Sequence, residues 1–252
     1  MKKITTKILI ILLGLLIIQI IFFALKDKNI FLPSPLEVLN ATIDQFQQID
    51  ILINILMSLK RVLVGFTLAT IAAIFLGISC GYNKKLGTFI KPFIELLRPI
   101  PPIAWIPIAI LLFGLGDNSA YFIVFLGAFF PIFTNSYFGA TSLPNVYRNV
   151  AQTFEIKNGV FITKIIFYFS LPYIFTGMKI GIGMAWMSVI AAELIGAQSG
   201  LGYFIQMNRL LLRTDNVVLG MILIGIIGYA LTKSLTMLEK VAMPWLQKNH
   251  TS

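Results

Sequence analysis

Few residues in this chain could do chemistry. Glu193 is the only acidic side chain within the apolar stretches long enough to cross a bilayer. Intramembrane carboxylates are costly and mark either a pathway or a polar partner. Glu193 stands about 21 residues, roughly 30 Å of helix, beyond Pro172, near the far end of its stretch. Two readings stay open: a gating or structural pair with Arg61, Arg209 or Arg213, or a simple interfacial acid. Cys80 is the sole cysteine and His250 the sole histidine, which excludes an internal disulfide or a Cys-based zinc site. No catalytic residue, metal ligand or cofactor site is expected. Pro99, Pro101, Pro102 and Pro107 remove backbone donors and clash with the preceding turn. Broken backbone is tolerated at membrane depth only where lipid cannot reach it. Pro101, Pro102 and Trp105 are therefore candidate pathway residues, the alternative being a bent entry into the membrane. Gly177, Gly181 and Ala185 repeat a small-xxx-small spacing that lets helix backbones approach closely. Their expected partner is a span of this chain or of a second copy. Cys80, Met184 and Met187 read as packing residues.

These residues must be held by elements, and composition decides which. Of 252 residues, 58% are hydrophobic and 12% charged, against roughly 25% charged in a soluble domain. Mean hydropathy is +0.88. A soluble domain of this size cannot hide so much apolar surface. Six stretches could span: Ile8 to Leu25, Val62 to Cys80, Ile100 to Leu115, Ala120 to Phe138, Pro172 to Gly196 and Val217 to Thr232. They are continuously apolar and not alternating, so helices are the spanning form. The first follows Lys2, Lys3 and Lys7 and reads as an uncleaved anchor, since no convincing small-x-small cleavage site ends it. With both termini on one side, 14 of the 20 Lys and Arg residues fall on that side. The positive-inside rule makes it the cytoplasm. The net charge of +10 then needs no nucleic-acid partner. Lys60 and Arg61 break the bias, lying at the outer mouth of the second stretch.

The connections carry structure too. Ser34, Pro35 and Glu37 read as a capping box with proline at the first helical position. Leu36, Leu39, Ile43 and Phe46 follow at helical spacing, so an amphipathic helix on the outer surface is expected. The longest inner segment runs from residue 139 to 171. Loops beyond about 12–15 residues usually have structure or function of their own. Val150, Phe154, Lys157 and Phe161 share one helical face there. That face packs either on the protein's own inner surface or on something outside it.

The loop, NVAQTFEIKNGVFITKIIFYFSLP from Asn149 to Pro172, resembles the EAA loop of ABC importer permeases. That pattern is Glu-Ala-Ala, three residues, Gly, nine residues, then Ile-x-Leu-Pro. Here Ala151 survives from the triplet, Glu155 stands at the glycine, and Ile165 matches but is followed by Phe167-Tyr168 in place of Leu-Pro; Leu171-Pro172 matches the second such pair that members of one subfamily carry. RPIPPIAWIPIAILLFGLGD (Arg98 to Asp117) is similar to the proline-rich third span of the nitrate/sulfonate/taurine/bicarbonate subfamily. FLPSPLEV (Phe31 to Val38), SLKRVLVGF (Ser58 to Phe66), AAELIGAQSGLGYFI (Ala191 to Ile205) and RTDNVVLGMI (Arg213 to Ile222) match it as well.

The resemblance implies an all-α membrane protein of about six transmembrane helices, with an outer amphipathic helix and a cytosolic coupling helix. Residues 1–57 would be an anchor span and outer segment, 58–240 the permease core with the loop at 139–171, and 241–252 a cytosolic tail. It implies a bacterial plasma-membrane location. Its partners would be a cytosolic ABC ATPase dimer, a second permease copy or homologue, and an extracytoplasmic solute-binding protein. Coupling to the ATPase would fall to Asn149, Val150, Ala151, Phe154, Glu155, Gly159 and Phe161. Because glutamate is a better helix former than glycine, the coupling helix is expected to run through Glu155. No Gly-x-x-x-x-Gly-Lys-Ser/Thr phosphate loop occurs, so this chain is not expected to be an enzyme. The implied function is the translocation pathway for a small anionic or polar solute. A stand-alone secondary transporter or channel is the alternative, and should show inverted repeats or several buried charges. A membrane enzyme would need clustered nucleophiles, acids or ligands.

Overall fold

The computed structural model describes residues 33–47 and 49–247, with the side chains of 246 and 247 excepted. The expected first span, Ile8 to Leu25, lies outside the described residues. Within them the chain is helical, without strands. α1 runs Pro35–Gln47, α2 Ile49–Tyr82, α3 Lys84–Leu97, and α4 Ile106–Phe113 after a 3-10 turn at Pro102–Trp105. α5 is Asp117–Thr141, α6 Asn145–Thr153 and α7 Asn158–Gly196. α8 is Leu201–Leu210, α9 Thr214–Ala242 and α10 Pro244–Gln247.

Four helices, α2, α5, α7 and α9, are long and apolar enough to cross a membrane. The Ile100 to Leu115 stretch does not cross as one helix. α3 and the Pro102–Phe113 segment together could make a fifth span, but they meet at 89°. Four prolines within ten residues are the physical cause, since each removes a donor from the ladder. The expected boundary at 57/58 lies inside the continuous α2. The expected loop 139–171 is shorter than its bounds, because α5 reaches Thr141 and α7 begins at Asn158.

α5 is the centre, clasped by α2 on one side and α7 on the other. Lipid tails are as apolar as the helices, so close backbone approach must supply what hydrophobic exclusion cannot. A Cβ at Gly77 would stand 2.7 Å from the Ser136 Cβ, and one at Gly177 2.9 Å from the Asn135 Cβ. Gly177, Gly181 and the buried Ala185 thus face this chain's own α5. α9 buries little, but the Trp186 Nε1 donates to the Ile224 carbonyl at 3.0 Å and Lys179 pairs with Glu239 at 2.9 Å. α1 begins as its sequence dictates. The Ser34 amide donates to the Glu37 carboxylate at 2.8 Å and the Glu37 amide to the Ser34 hydroxyl at 3.2 Å. Leu36, Leu39, Ile43 and Phe46 remain exposed on it.

Candidate functional site

Two arrangements stand out, at opposite ends of the bundle. The first is built on Arg61, which α2 carries into the core with only 2% of its surface exposed. A guanidinium buried so deeply needs an acid and further acceptors, or its desolvation is unanswered. α7 supplies Glu193, also buried, 2.9 Å from Nη1. The first turn of α5 supplies Asp117, with Oδ1 2.7 Å from Nη2 and 2.8 Å from Nε. Ser199 accepts from Nη1 through its carbonyl at 2.6 Å and from Nη2 through its hydroxyl at 2.9 Å. Three helices and one loop therefore meet on one cation.

Glu193 is answered from other directions as well. The Ser58 hydroxyl, one turn before Arg61 on α2, lies 2.8 Å and 2.9 Å from its two oxygens. The Gly202 amide donates to it at 3.0 Å, placing the carboxylate at the N-terminus of α8, where orphan amides favour an anion. The Leu201 amide donates to Ser58 and the Gly200 amide to Asn54. Gly200 has φ +108°, and any Cβ there would overlap the Glu193 carboxylate. Only glycine fits that position. Lys60, outside the cluster, reaches Asp117 at 3.2 Å. Both carboxylates of the arrangement are paired with Arg61. It can lock helix ends together, and it can release them if one partner moves.

Of the three arginines considered for Glu193, Arg61 is the partner; Arg209 and Arg213 are exposed. Sequence reading missed Asp117, Ser58 and Ser199. The signal was present, because Arg61 violates the charge bias and a cation in a span needs an acid. Pro101 is exposed and Pro102 half-buried, at the bend before α4. Trp105 packs beside Ile106 and Ala120, with its Nε1 buried and without a partner among the described residues.

The second arrangement is the loop between α5 and α7. The face proposed through Val150, Phe154, Lys157 and Phe161 is not one helix. α6 stops at Thr153, and Glu155 has φ +49°. The Ile156 amide bonds to the Ala151 carbonyl at 2.9 Å and the Glu155 amide to the Gln152 carbonyl at 3.0 Å. These two bonds form a Schellman motif with Glu155 at the left-handed position. Position, not propensity, decides here. That site asks for positive φ, which glycine adopts freely, and this chain meets it with a strained glutamate. Phe161 turns inward, 6% exposed, against Tyr82, and Ala151 and Ile156 pack with it. Phe161 therefore leaves the candidate docking face. Phe154 is 74% exposed and Val150 and Val146 are also exposed. Asn149 is exposed on α6, and Gly159 is exposed in the first turn of α7 with open space around its Cα.

Residues 73–247 match the model of a family described as binding-protein-dependent transport system inner membrane component. The chain is 38% identical over 252 aligned residues to a putative ABC transporter permease protein of Methanocaldococcus jannaschii, with 96% of this chain and 94% of that one covered. It is 36% identical to the nitrate import permease protein NrtB of a Synechocystis species (86% and 82% covered). It is 35% identical to the bicarbonate transport system permease protein CmpB of Synechococcus elongatus (76% and 68% covered). In fold it is similar to a chain of the inward-facing MetNI methionine ABC transporter. The TM-score is 0.59 at 16% identity, over 75% of this chain and 97% of that one. By its family match, its full-length relatives and its helical architecture, the chain belongs to the family of binding-protein-dependent transport system inner-membrane components.

Proposed function

We propose that this chain forms the translocation pathway of an ATP-driven importer for a small anion of the nitrate or bicarbonate class. An external binding protein would deliver the solute, and a separate cytosolic ATPase dimer would supply the energy. Two permease copies, or this chain and a homologue, would enclose the path. The loop carrying α6 faces the cytoplasm in this reading, and the Arg61 cluster faces outward. The observation that carries the reading is the exposed apolar set Val146, Val150 and Phe154 on a short helix outside the bundle. Exposed aromatic and aliphatic side chains on a helix that does not enter lipid fit a partner groove. Glu193 and Arg61 would hold the outer helix ends in one of two states, and Pro101, Pro102 and Trp105 would border the path where α3 bends into α4. Both termini would lie in the cytoplasm.

Reconstitution tests this. Liposomes holding the permease, the ATPase and the binding protein should accumulate the anion only with ATP, and omitting any component should abolish uptake. Proton-driven uptake by the purified chain alone would overturn the proposal in favour of a secondary transporter.

A further inference from the structure

A cavity of about 670 Å³ opens at the loop end of the bundle, between α3, the ends of α2 and α5, and the start of α6. Lys84, Thr88, Lys91 and Glu95 line it from α3, with Asn145 and Arg148 from α6. Along α3 these four polar residues recur at i, i+4, i+7 and i+11, a single stripe of the helix, with Gly87 and Pro92 beside them. Apart from Lys85, the other two faces of α3 are apolar. Leu86, Ile90 and Ile94 pack on the core, while Phe89, Phe93 and Leu96 are exposed on the side away from the cavity. The exposed apolar side of such a helix suits lipid, and the cavity lies on the opposite side of α3 from it.

The cavity's charges do not cancel. Lys91 pairs with Glu95 at 3.4 Å and stands 5.7 Å over the Tyr137 ring. Lys84 and Arg148 have no ion-pair partner among the described residues. Three cations from two helices thus line the cavity with one carboxylate, and Asn145 adds a neutral donor, while the Thr88 hydroxyl donates to the Lys84 carbonyl at 2.9 Å. The positive-inside bias alone requires only a count of basic residues, not their convergence. Lys85, Lys157 and Lys164 serve that bias without lining the cavity.

We propose that Lys84, Lys91 and Arg148 bind an oxyanion in this cavity, tying the loop helix α6 to α3. Arg148 can present a planar fork to two oxygens at once, and the two lysines act as point charges around it. The ligand chemistry is a small oxyanion of the phosphate, sulfate or nitrate type, either free in solution or carried on a lipid headgroup. The orientation of Phe89 and Phe93 favours the soluble source. The bound anion would set how freely α6 moves relative to the bundle. That role does not depend on which solute the protein carries.

The test uses the full chain in neutral detergent. Equilibrium binding of radiolabelled orthophosphate, sulfate and nitrate is measured at low ionic strength, and native mass spectrometry compares retained phosphatidylglycerol with phosphatidylcholine. Saturable binding of at least one anion is expected. Lys84→Gln and Arg148→Gln should weaken it about tenfold or more, while Lys84→Arg and Lys85→Gln leave it unchanged. Gel filtration reports whether each variant stays folded. If only phosphatidylglycerol is retained, and Arg148→Gln abolishes that preference, the site stands with the lipid as its source. The absence of both saturable anion binding and lipid preference overturns the proposal. So does binding that Lys85→Gln weakens as much as Lys84→Gln.

Discussion

At the scale of single residues, the Arg61 cluster carries the largest individual energies. Removing one member of a buried ion pair strands the other, which costs about 3–5 kcal/mol, whereas replacing both with apolar residues is often neutral. Glu193→Ala should therefore lower bundle stability by about 3 kcal/mol, the low end of that range, because Asp117 and Ser199 still answer Arg61. Arg61→Met with Glu193→Met should recover most of the loss. Thermal unfolding in detergent checks both, and a double variant less stable than either single one would refute the account. Glu155 gives the opposite sign. A left-handed backbone costs a non-glycine residue roughly 1–2 kcal/mol, so Glu155→Gly should protect the amides of α6 from hydrogen exchange, by about 1 kcal/mol. Faster exchange in that variant would contradict the left-handed assignment. Legibility at this scale follows sequence distance. The Ser34–Glu37 box spans three residues and is readable from side-chain chemistry alone. The side-chain partners of Glu193 lie 132 and 135 positions away, and no local rule reaches them. Glu155 was misread because propensity averages over helix interiors and says nothing about a position that needs positive φ.

At the scale of elements, the loop shows how one periodic pattern serves two masters. Phe154 and Phe161 sit seven positions apart, two turns of an unbroken helix, and the spacing groups them. The Schellman break after Thr153 separates them: one ring faces solvent and the other enters the core. Two alanine substitutions should then fail in different assays. Phe154→Ala should leave the fold intact and weaken ATPase co-purification roughly 30-fold, if a central aromatic anchor is worth about 2 kcal/mol. Phe161→Ala should destabilise the chain by about 3 kcal/mol through the cavity it leaves. Release of the ATPase by Phe161→Ala at wild-type stability, or unfolding by Phe154→Ala, would reverse the assignment. The segment after Arg98 was legible as apolar and proline-rich, with a bent entry as one of its two readings, yet the 89° angle was not. Hydropathy measures how much a segment favours lipid, and four prolines decide whether it can do so as one rod.

At the scale of the whole molecule, the proposed orientation rests on the bias of the basic residues, and cysteine labelling can test it. A cysteine at Gln47 should react with an impermeant reagent on intact cells, and one at Asn158 only after permeabilisation. The opposite pattern would invert the topology and with it the placing of the loop and the Arg61 cluster. The class of the fold was legible because composition is a bulk property that local errors cannot move, whereas the count and length of spans depended on breaks such as the one at Pro99 to Pro102. α7 has a mechanical consequence. It runs helical from Asn158, beside the loop, to Gly196, three residues past Glu193, with a wider π-helical stretch at Phe161–Ile166. Its 39 residues make a rod of about 58 Å at about 1.5 Å per residue. A rod of that length, pivoting near its middle on Gly177 and Gly181, converts a tilt of about 5° into a shift of about 2.5 Å at each end, in opposite directions. That is close to the length of one hydrogen bond. A small push on the loop end would thus be enough to pull Glu193 out of register with Arg61, with no residue in between having to change its conformation.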